Sequence, residues 1–403
     1  MKRFFLGFLL IIFITQSISS YATYLTIPTW NDNSGTTEVN AETADNFLNI
    51  EAESAILIEQ NSGKVLYEKN ANEQLRPASV TKIMSILLIM EALDSGKISL
   101  DTKVSCSEKA SSMGGSQIWL DQTESLTVDE MLKAICVVSA NDCVVAMAEF
   151  LAGSEEAFVE QMNNRAKELG MNNTVFKNCH GIDEDGHITT SYDIALMSRE
   201  LLKNHPSITN YTTIWMDSLR NGKSQLVNTN KLIRTYEGAT GLKTGSTSLA
   251  LYNLSASATR NGLSLIAVVM KAPSTKIRFS SAKTLLDYGF NTYNYEKIAT
   301  KGTVLQSVDV SKGITKQINL VFENDSGALV KKGSTSNLEQ TVSINENISA
   351  PIHQGDVLGK VTFSINGENL GEVNLVSDYD VEKINFGNLF KSISYKWFTI
   401  LRN

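Results

Sequence analysis

The 403-residue chain has little of what metal, redox or nucleic-acid chemistry requires. Its 4 histidines show no HExxH or HxH spacing and its 4 cysteines no CxxC pair, so no metal site and no other cofactor are expected. Lys+Arg number 36 against 43 Asp+Glu, a formal net charge of -7 that offers no cationic face to a nucleic acid. The apolar run Phe4 to Ile14 is shorter than the roughly 20 residues of a membrane-spanning helix. It follows Met1-Lys2-Arg3 and leads to Ser20-Tyr21-Ala22, small residues where a signal peptidase reads, so residues 1–22 read as a secretory signal peptide. The mature protein is then expected outside the cytoplasm, where cysteines can pair. Cys136 and Cys143, seven apart in a helical stretch, would lie about 10 Å apart and could not bridge each other. A bridge to Cys106 or Cys179 and four buried thiols both remain open.

What is present is ordinary globular composition, 42% hydrophobic, in a chain too long for one typical domain. Residues 23–49 are polar and acidic, as expected of a flexible leader. Ala55 to Ile58 and Lys64 to Tyr67, joined across Asn61-Ser62-Gly63, predict a β-hairpin. Helical periodicity covers Val128 to Ile135, Cys143 to Leu151, Ala157 to Leu169 and Tyr192 to Leu202. An antiparallel pair, Leu249 to Ala258 and Leu263 to Met270, turns at Arg260-Asn261-Gly262, and a helix from Lys276 to Tyr288 is expected to stop at Gly289. Strands from both ends enclosing a helical middle predict one α+β domain over residues 50–295, an antiparallel sheet flanked by helices. Short β-prone runs split by Gly and Asn predict a small all-β domain over 296–378. In 379–403, Phe386, Leu389, Phe390, Ile393, Trp397, Ile400 and Leu401 form one stripe away from Lys391, Lys396 and Arg402, the pattern of an amphipathic helix lying on a membrane surface.

The chemistry gathers around Arg76-Pro77-Ala78-Ser79-Val80-Thr81-Lys82, which opens a segment apolar on nearly every side. Pro77 suits a helix start, and Ser79 and Lys82, three apart, would share a face. A serine hydroxyl is a poor nucleophile until a neighbour removes its proton, and a neutral lysine can do so. The same spacing recurs at Ser280 and Lys283, so it decides nothing alone. Two further short motifs follow: Ser139-Ala140-Asn141 after an apolar helix, and Lys243-Thr244-Gly245 opening a strand. In that order they are the pattern of penicillin-binding proteins and serine β-lactamases.

The contexts Arg76-Pro77-Ala78-Ser79, Met113-Gly114-Gly115-Ser116-Gln117, Ser139-Ala140-Asn141-Asp142, Asn228-Thr229-Asn230-Lys231-Leu232, Gly241-Leu242-Lys243-Thr244-Gly245 and Leu285-Leu286-Asp287-Tyr288-Gly289-Phe290 make the resemblance closer. The chain resembles the low-molecular-mass D-alanyl-D-alanine carboxypeptidases from about Glu51 to Phe290, and the β-rich domain and terminal helix fit their layout more loosely. The resemblance implies removal of the terminal D-Ala from peptidoglycan stem pentapeptides through an acyl-serine, acylation by β-lactam antibiotics, and a C-terminal anchor on the outer face of the bacterial cytoplasmic membrane. Ser79 would be the nucleophile and Lys82 its base, with a pKa depressed by burial and by Lys243 as a second cation. Ser139 would relay a proton to the leaving amine. Asn141 would bond the substrate carbonyl or orient Lys82. Gly245, without a Cβ, would let substrate lie along its strand. The family places the oxyanion hole at the N–H groups of Ser79 and Ser246, and Thr244 and Arg278 would receive the substrate carboxylate.

Ala140 stands where the family often has Gly, and Cys143 where a small apolar residue is common. A class A β-lactamase needs Glu-x-x-x-Asn to direct a deacylating water, and the region from Asn172 to His187 lacks it. A non-catalytic wall-binding protein would predict a damaged Ser79 or Lys82, and both are intact. A D,D-endopeptidase would use the same serine chemistry on another leaving group. His187 reads as structural rather than catalytic.

Overall fold

The computed structural model describes residues 47–333, 338–365 and 367–385, with 387 and 390. The expected signal peptide, the leader up to residue 46 and nearly all of the terminal helix beyond 385 lie outside them. The chain enters on the hairpin β1 (Ser54–Glu59) and β2 (Val65–Lys69). The Glu59 carboxylate ties its turn, accepting the backbone N–H groups of Asn61 (2.8 Å) and Ser62 (2.6 Å), while Gly63 takes a left-handed φ of +79°. A 3₁₀ turn, Ala78–Thr81, leads into α1 (Lys82–Asp94). A ribbon of β3 (Lys103–Ser105) and β4 (Ser125–Thr127) precedes α2 (Val128–Val137), α3 (Asn141–Ala152), α4 (Glu155–Glu168) and α5 (Ser191–Asn204). The hairpin β5 (Met216–Leu219) and β6 (Ser224–Val227) follows, then β7 (Ala239–Thr247), β8 (Leu251–Arg260), β9 (Leu263–Ala272) and α6 (Thr275–Thr292).

The main sheet is antiparallel in the order β2-β1-β9-β8-β7, which leaves β7 at an edge. Alternate residues of its strands feed two cores. Ile56, Ile58, Ile266, Val268 and Met270 face α1 to α5, whereas Leu57, Leu254, Ala256, Leu265 and Val269 face α6. Burial on both faces is why β1 reads as an unbroken apolar run. Helix α1 passes through the first core, and Ile83, Met84, Ile86, Leu87 and Ile89 are wholly enclosed, each worth about 1.5–3 kcal/mol by burial.

Two expectations need correction. The segment holding Cys136 and Cys143 is not one helix: Ser139 takes φ +67° and breaks it between α2 and α3, so the spacing argument for the two sulfurs fails. All four cysteines are nonetheless free and buried. Gly289 does not stop α6, which runs on to Thr292. A Cβ there would lie 2.5 Å from Leu265 Cδ1 and 3.1 Å from Leu57 Cδ2, so glycine serves close helix-to-sheet packing.

Beyond α6, β10 (Tyr293–Ala299) leads to β11 (Val304–Asp309), β12 (Gln317–Phe322), β13 (Ser326–Lys331), β14 (Leu338–Ile344), β15 (Val357–Ile365) and β16 (Glu368–Ser377). β10 pairs with β13 in a ribbon the sequence reading missed, and the others form an antiparallel sheet in the order β11-β12-β16-β15-β14 around Leu320, Phe322, Val361, Phe363 and Leu375. The architecture is thus an α+β domain, an antiparallel sheet flanked by helices, followed by a small all-β domain. No helix among the described residues is long and apolar enough to cross a membrane.

Candidate active site

Side chains at i and i+3 of a 3₁₀ turn eclipse, so the turn Ala78–Thr81 sets Ser79 directly against Lys82. The turn is held on three sides. Asn253 Nδ2 donates to the carbonyls of Arg76 (2.8 Å) and Pro77 (3.0 Å). Gly245 of β7 approaches so closely that a Cβ would lie 2.9 Å from both Ser79 N and Val80 N, which gives this glycine a purpose besides admitting substrate. Gly181, at φ +91°, approaches from the other side, its absent Cβ 1.9 Å from the Ala78 carbonyl oxygen. Ala78 itself takes φ +49°, a left-handed value maintained immediately before Ser79.

Lys82 is fully buried, with Nζ 3.2 Å from Ser79 Oγ, 2.6 Å from Asn141 Oδ1 and 2.7 Å from the His180 carbonyl oxygen. Its three hydrogen-bond partners are neutral. Burial holds its pKa well below the ordinary lysine range, Lys243 lowers it further, and Asp142 opposes the shift. Lys243 is also buried, donates to the Thr244 carbonyl at 3.0 Å, and is pushed by burial down to about 7.

The break between α2 and α3 delivers the second motif. Ser139 ends the first helix in a left-handed conformation, and its buried Oγ has no hydrogen-bond partner. Asn141 opens α3 and is fixed by the preceding loop: its N–H donates to Ser116 O (2.7 Å) and its Nδ2 to Gly114 O (2.7 Å). A Cβ on Gly115 would come 2.9 Å from that amide nitrogen. The next residue, Asp142, is buried and accepts the N–H groups of Ile118 and Leu120, both at 3.0 Å.

On the opposite wall, Thr244 Oγ1 donates to Thr229 Oγ1 at 2.7 Å, and Ser246 is exposed. Arg278 is buried rather than lying on the solvent face of its helix. Its Nη1 donates to the carbonyls of Gly245 and Asn253, both at 3.3 Å, its Nε is unpartnered, and burial pushes its pKa to about 10. All nine residues expected at the site therefore gather on the 3₁₀ turn, the α2–α3 break, β7 and the neighbouring turn of α6. The competing pair does not: Ser280 is exposed on α6 and donates to the Ile277 carbonyl.

Sequence reasoning missed Asn253, Gly181 and the His180 carbonyl, and gave Thr229 only as part of the run Asn228 to Leu232, with no role. Backbone acceptors and glycines of close approach carry no motif. His187 is structural: Nδ1 accepts the Lys177 N–H at 3.1 Å, so Nε2 donates to Thr81 Oγ1 at 2.8 Å. Among the described residues no cluster of three or more His, Cys, Asp or Glu could hold a metal ion.

A family model described as D-alanyl-D-alanine carboxypeptidase matches residues 38–274, more than half of the chain. The chain belongs to the D-alanyl-D-alanine carboxypeptidase family. The carboxypeptidase is 47% identical to the D-alanyl-D-alanine carboxypeptidase DacF of Bacillus subtilis over 86% of this chain and 90% of that one. It is 32% identical to DacC of Escherichia coli over 87% and 90%. A second model, the C-terminal domain of penicillin-binding protein 5, matches residues 293–383. Among solved structures, penicillin-binding protein 5 of Haemophilus influenzae superimposes with a TM-score of 0.70 at 31% identity, covering 83% of this chain and 98% of that one. Penicillin-binding protein D2 of Listeria monocytogenes, solved in its ampicillin-bound form, gives a TM-score of 0.56 at 31% identity over 60% and 99%. The carboxypeptidase is accordingly a serine hydrolase that removes a terminal D-alanine by way of an acyl-serine.

Proposed function

We propose that Ser79 is the acylated serine and that Lys82 acts on it as a neutral amine. As Ser79 Oγ attacks the carbonyl carbon of the penultimate D-Ala, Lys82 Nζ takes the hydroxyl proton. The oxyanion is received by the N–H groups of Ser79 and Ser246. Ser139 relays that proton from Lys82 to the departing amine of the terminal D-Ala as the C–N bond breaks, which leaves both side chains as they began. Water then attacks the ester carbonyl, the again-neutral Lys82 removes its proton, and that proton returns to Ser79 Oγ as the ester C–O bond breaks. Asn141, which touches Lys82, orients the base, and Lys243 keeps it deprotonated. Thr244 and Arg278 receive the terminal carboxylate, and the free edge of β7 beside Gly245 takes the stem peptide as an added strand.

The observation that carries this reading is a fully buried lysine 3.2 Å from a half-exposed serine hydroxyl, with a second buried lysine lowering its pKa. A β-lactam presents an acyl carbon to the same hydroxyl, and the Listeria monocytogenes relative was solved in an ampicillin-bound form. Purified protein is expected to release D-Ala from a pentapeptide ending D-Ala-D-Ala and to label covalently with fluorescent penicillin. Ser79→Ala retaining the label would sink the assignment. Penicillin labelling without D-Ala release would favour an endopeptidase.

The same reading assigns residues 50–295 to the catalytic unit and 296–378 to the β-rich unit. It has 1–22 removed on export, and 379–403 lying as an amphipathic helix on the outer face of the cytoplasmic membrane. The apolar stripe and basic residues of that last segment support this placement.

A further inference from the structure

The loop that fixes Asn141 continues to a residue the reaction above does not use. Trp119 takes φ +53°, a left-handed value that bulky side chains avoid. It is held there from both sides. Its neighbours Ile118 and Leu120 donate their N–H groups to the buried Asp142, and Arg220 donates to the carbonyls of Ile118 (2.8 Å) and Trp119 (3.3 Å). Arg220 is itself locked to Glu124, through Nε and Nη2, both at 2.6 Å. The indole so held is 76% exposed. A strained backbone, gripped by charged groups to turn a large aromatic ring outward, is an arrangement set up for contact.

The chemistry of the contact follows from the surroundings. Arg220 is neutralised by Glu124, Asp142 is buried, and the Asp121 carboxylate folds onto the N–H and hydroxyl of Thr123. Ser116 and Gln117 offer uncharged hydrogen-bonding groups. A flat, apolar indole beside amides, hydroxyls and a carboxylate that can accept from a sugar hydroxyl suits the C–H face of a pyranose ring better than an anionic peptide. The substrate brings such rings, because stem peptides hang by their N-terminal ends from the wall glycan. Trp119 is three residues beyond Ser116, at most about 11 Å of chain, and the four acyl-side residues of an extended stem span about 13 Å. The two lengths are of the same order.

We propose that Trp119 is a stacking platform for a sugar ring of the wall glycan, and so a specificity-determining residue that favours glycan-borne stem peptides over free ones. The proposal rests on the carboxypeptidase site described above. Its test measures kcat/KM for a free pentapeptide ending D-Ala-D-Ala and for the same pentapeptide on its disaccharide, in wild type, Trp119→Ala and Trp119→Phe. The ratio of glycan-borne to free is expected to fall about tenfold in Trp119→Ala, mainly through KM, and to recover at least partly in Trp119→Phe. A ratio equal to wild type in Trp119→Ala overturns the proposal, whether both rates fall together or neither does.

A second measurement avoids the reaction: retention on insoluble wall glycan stripped of its stem peptides, using protein shown to be folded by penicillin labelling. Wild type retained and Trp119→Ala released supports the platform; equal retention, or none in wild type, overturns it. Failure of the underlying site would appear instead as no D-Ala release from either peptide.

Discussion

Replacing Gly181 by Ala tests whether the left-handed glycine beneath Ala78 is what holds the nucleophile in place. The new Cβ would sit 1.9 Å from the Ala78 carbonyl oxygen, 2.4 Å from its carbon and 2.9 Å from Ser79 N, all backbone atoms that cannot rotate away. Relief requires a shift of about 1 Å or more in the peptide preceding Ser79, a misplacement of the size that costs a reaction roughly a hundredfold. Stability should fall as well. A left-handed φ costs an L-residue about 1–2 kcal/mol and overpacking typically about 1–3 kcal/mol, so a loss of about 2–5 kcal/mol is expected. Gly153 supplies the control, since it has φ +87° with nothing within 4 Å of its absent Cβ. Gly153→Ala should lose only the backbone part and keep its acylation rate. The assays are stopped-flow acylation by a fluorescent penicillin and thermal unfolding of both variants. Gly181→Ala acylating within about threefold of wild type, or melting together with Gly153→Ala, would refute the reasoning.

Two further outcomes follow from the site and the termini. Lys243 carries its charge below about pH 7 and there lowers the pKa of Lys82. Removing the cation favours protonated Lys82, so in Lys243→Met the acid limb of the acylation pH profile should move to higher pH, and a limb that stays or moves lower contradicts the assigned role. Full-length protein should co-sediment with anionic phospholipid vesicles and a chain ending at residue 378 should not; equal sedimentation would remove the membrane role from residues 379–403.

Much of the catalytic domain was legible because its signals are local. The hairpin β1–β2 is marked by Asn61-Ser62-Gly63, and α1 by an apolar run too continuous for a surface helix. Seven of the nine residues proposed for the site stand in three short motifs, and Ser246 and Arg278 entered through the resemblance that the surrounding contexts carry. Legibility ended where long-range packing decides. Gly289 resembles a helix stop, yet its role is to let α6 approach Leu57 and Leu265. The break around Ser139 is half legible, since the helical pattern lapses between Ile135 and Cys143, but only the fold shows that a left-handed turn there brings Asn141 to Lys82. Ribbon β10–β13 joins stretches far apart in sequence whose pairing no short window can reveal. Asp142 and Arg220 were likewise silent, since their work is done on the backbone of a loop more than 20 residues from the first and about 100 from the second.

The state of the sulfur atoms has a practical corollary. Burial pushes the Cys136 thiol up to about 12 and those of Cys143 and Cys179 well above their ordinary value, so these groups remain protonated and unreactive while the core is closed. No covalent cross-link has to be made or reshuffled for this polypeptide to reach its native form. It should mature equally well in reducing or oxidising surroundings, and maleimide uptake by its sulfhydryls becomes a built-in gauge of how often the interior opens.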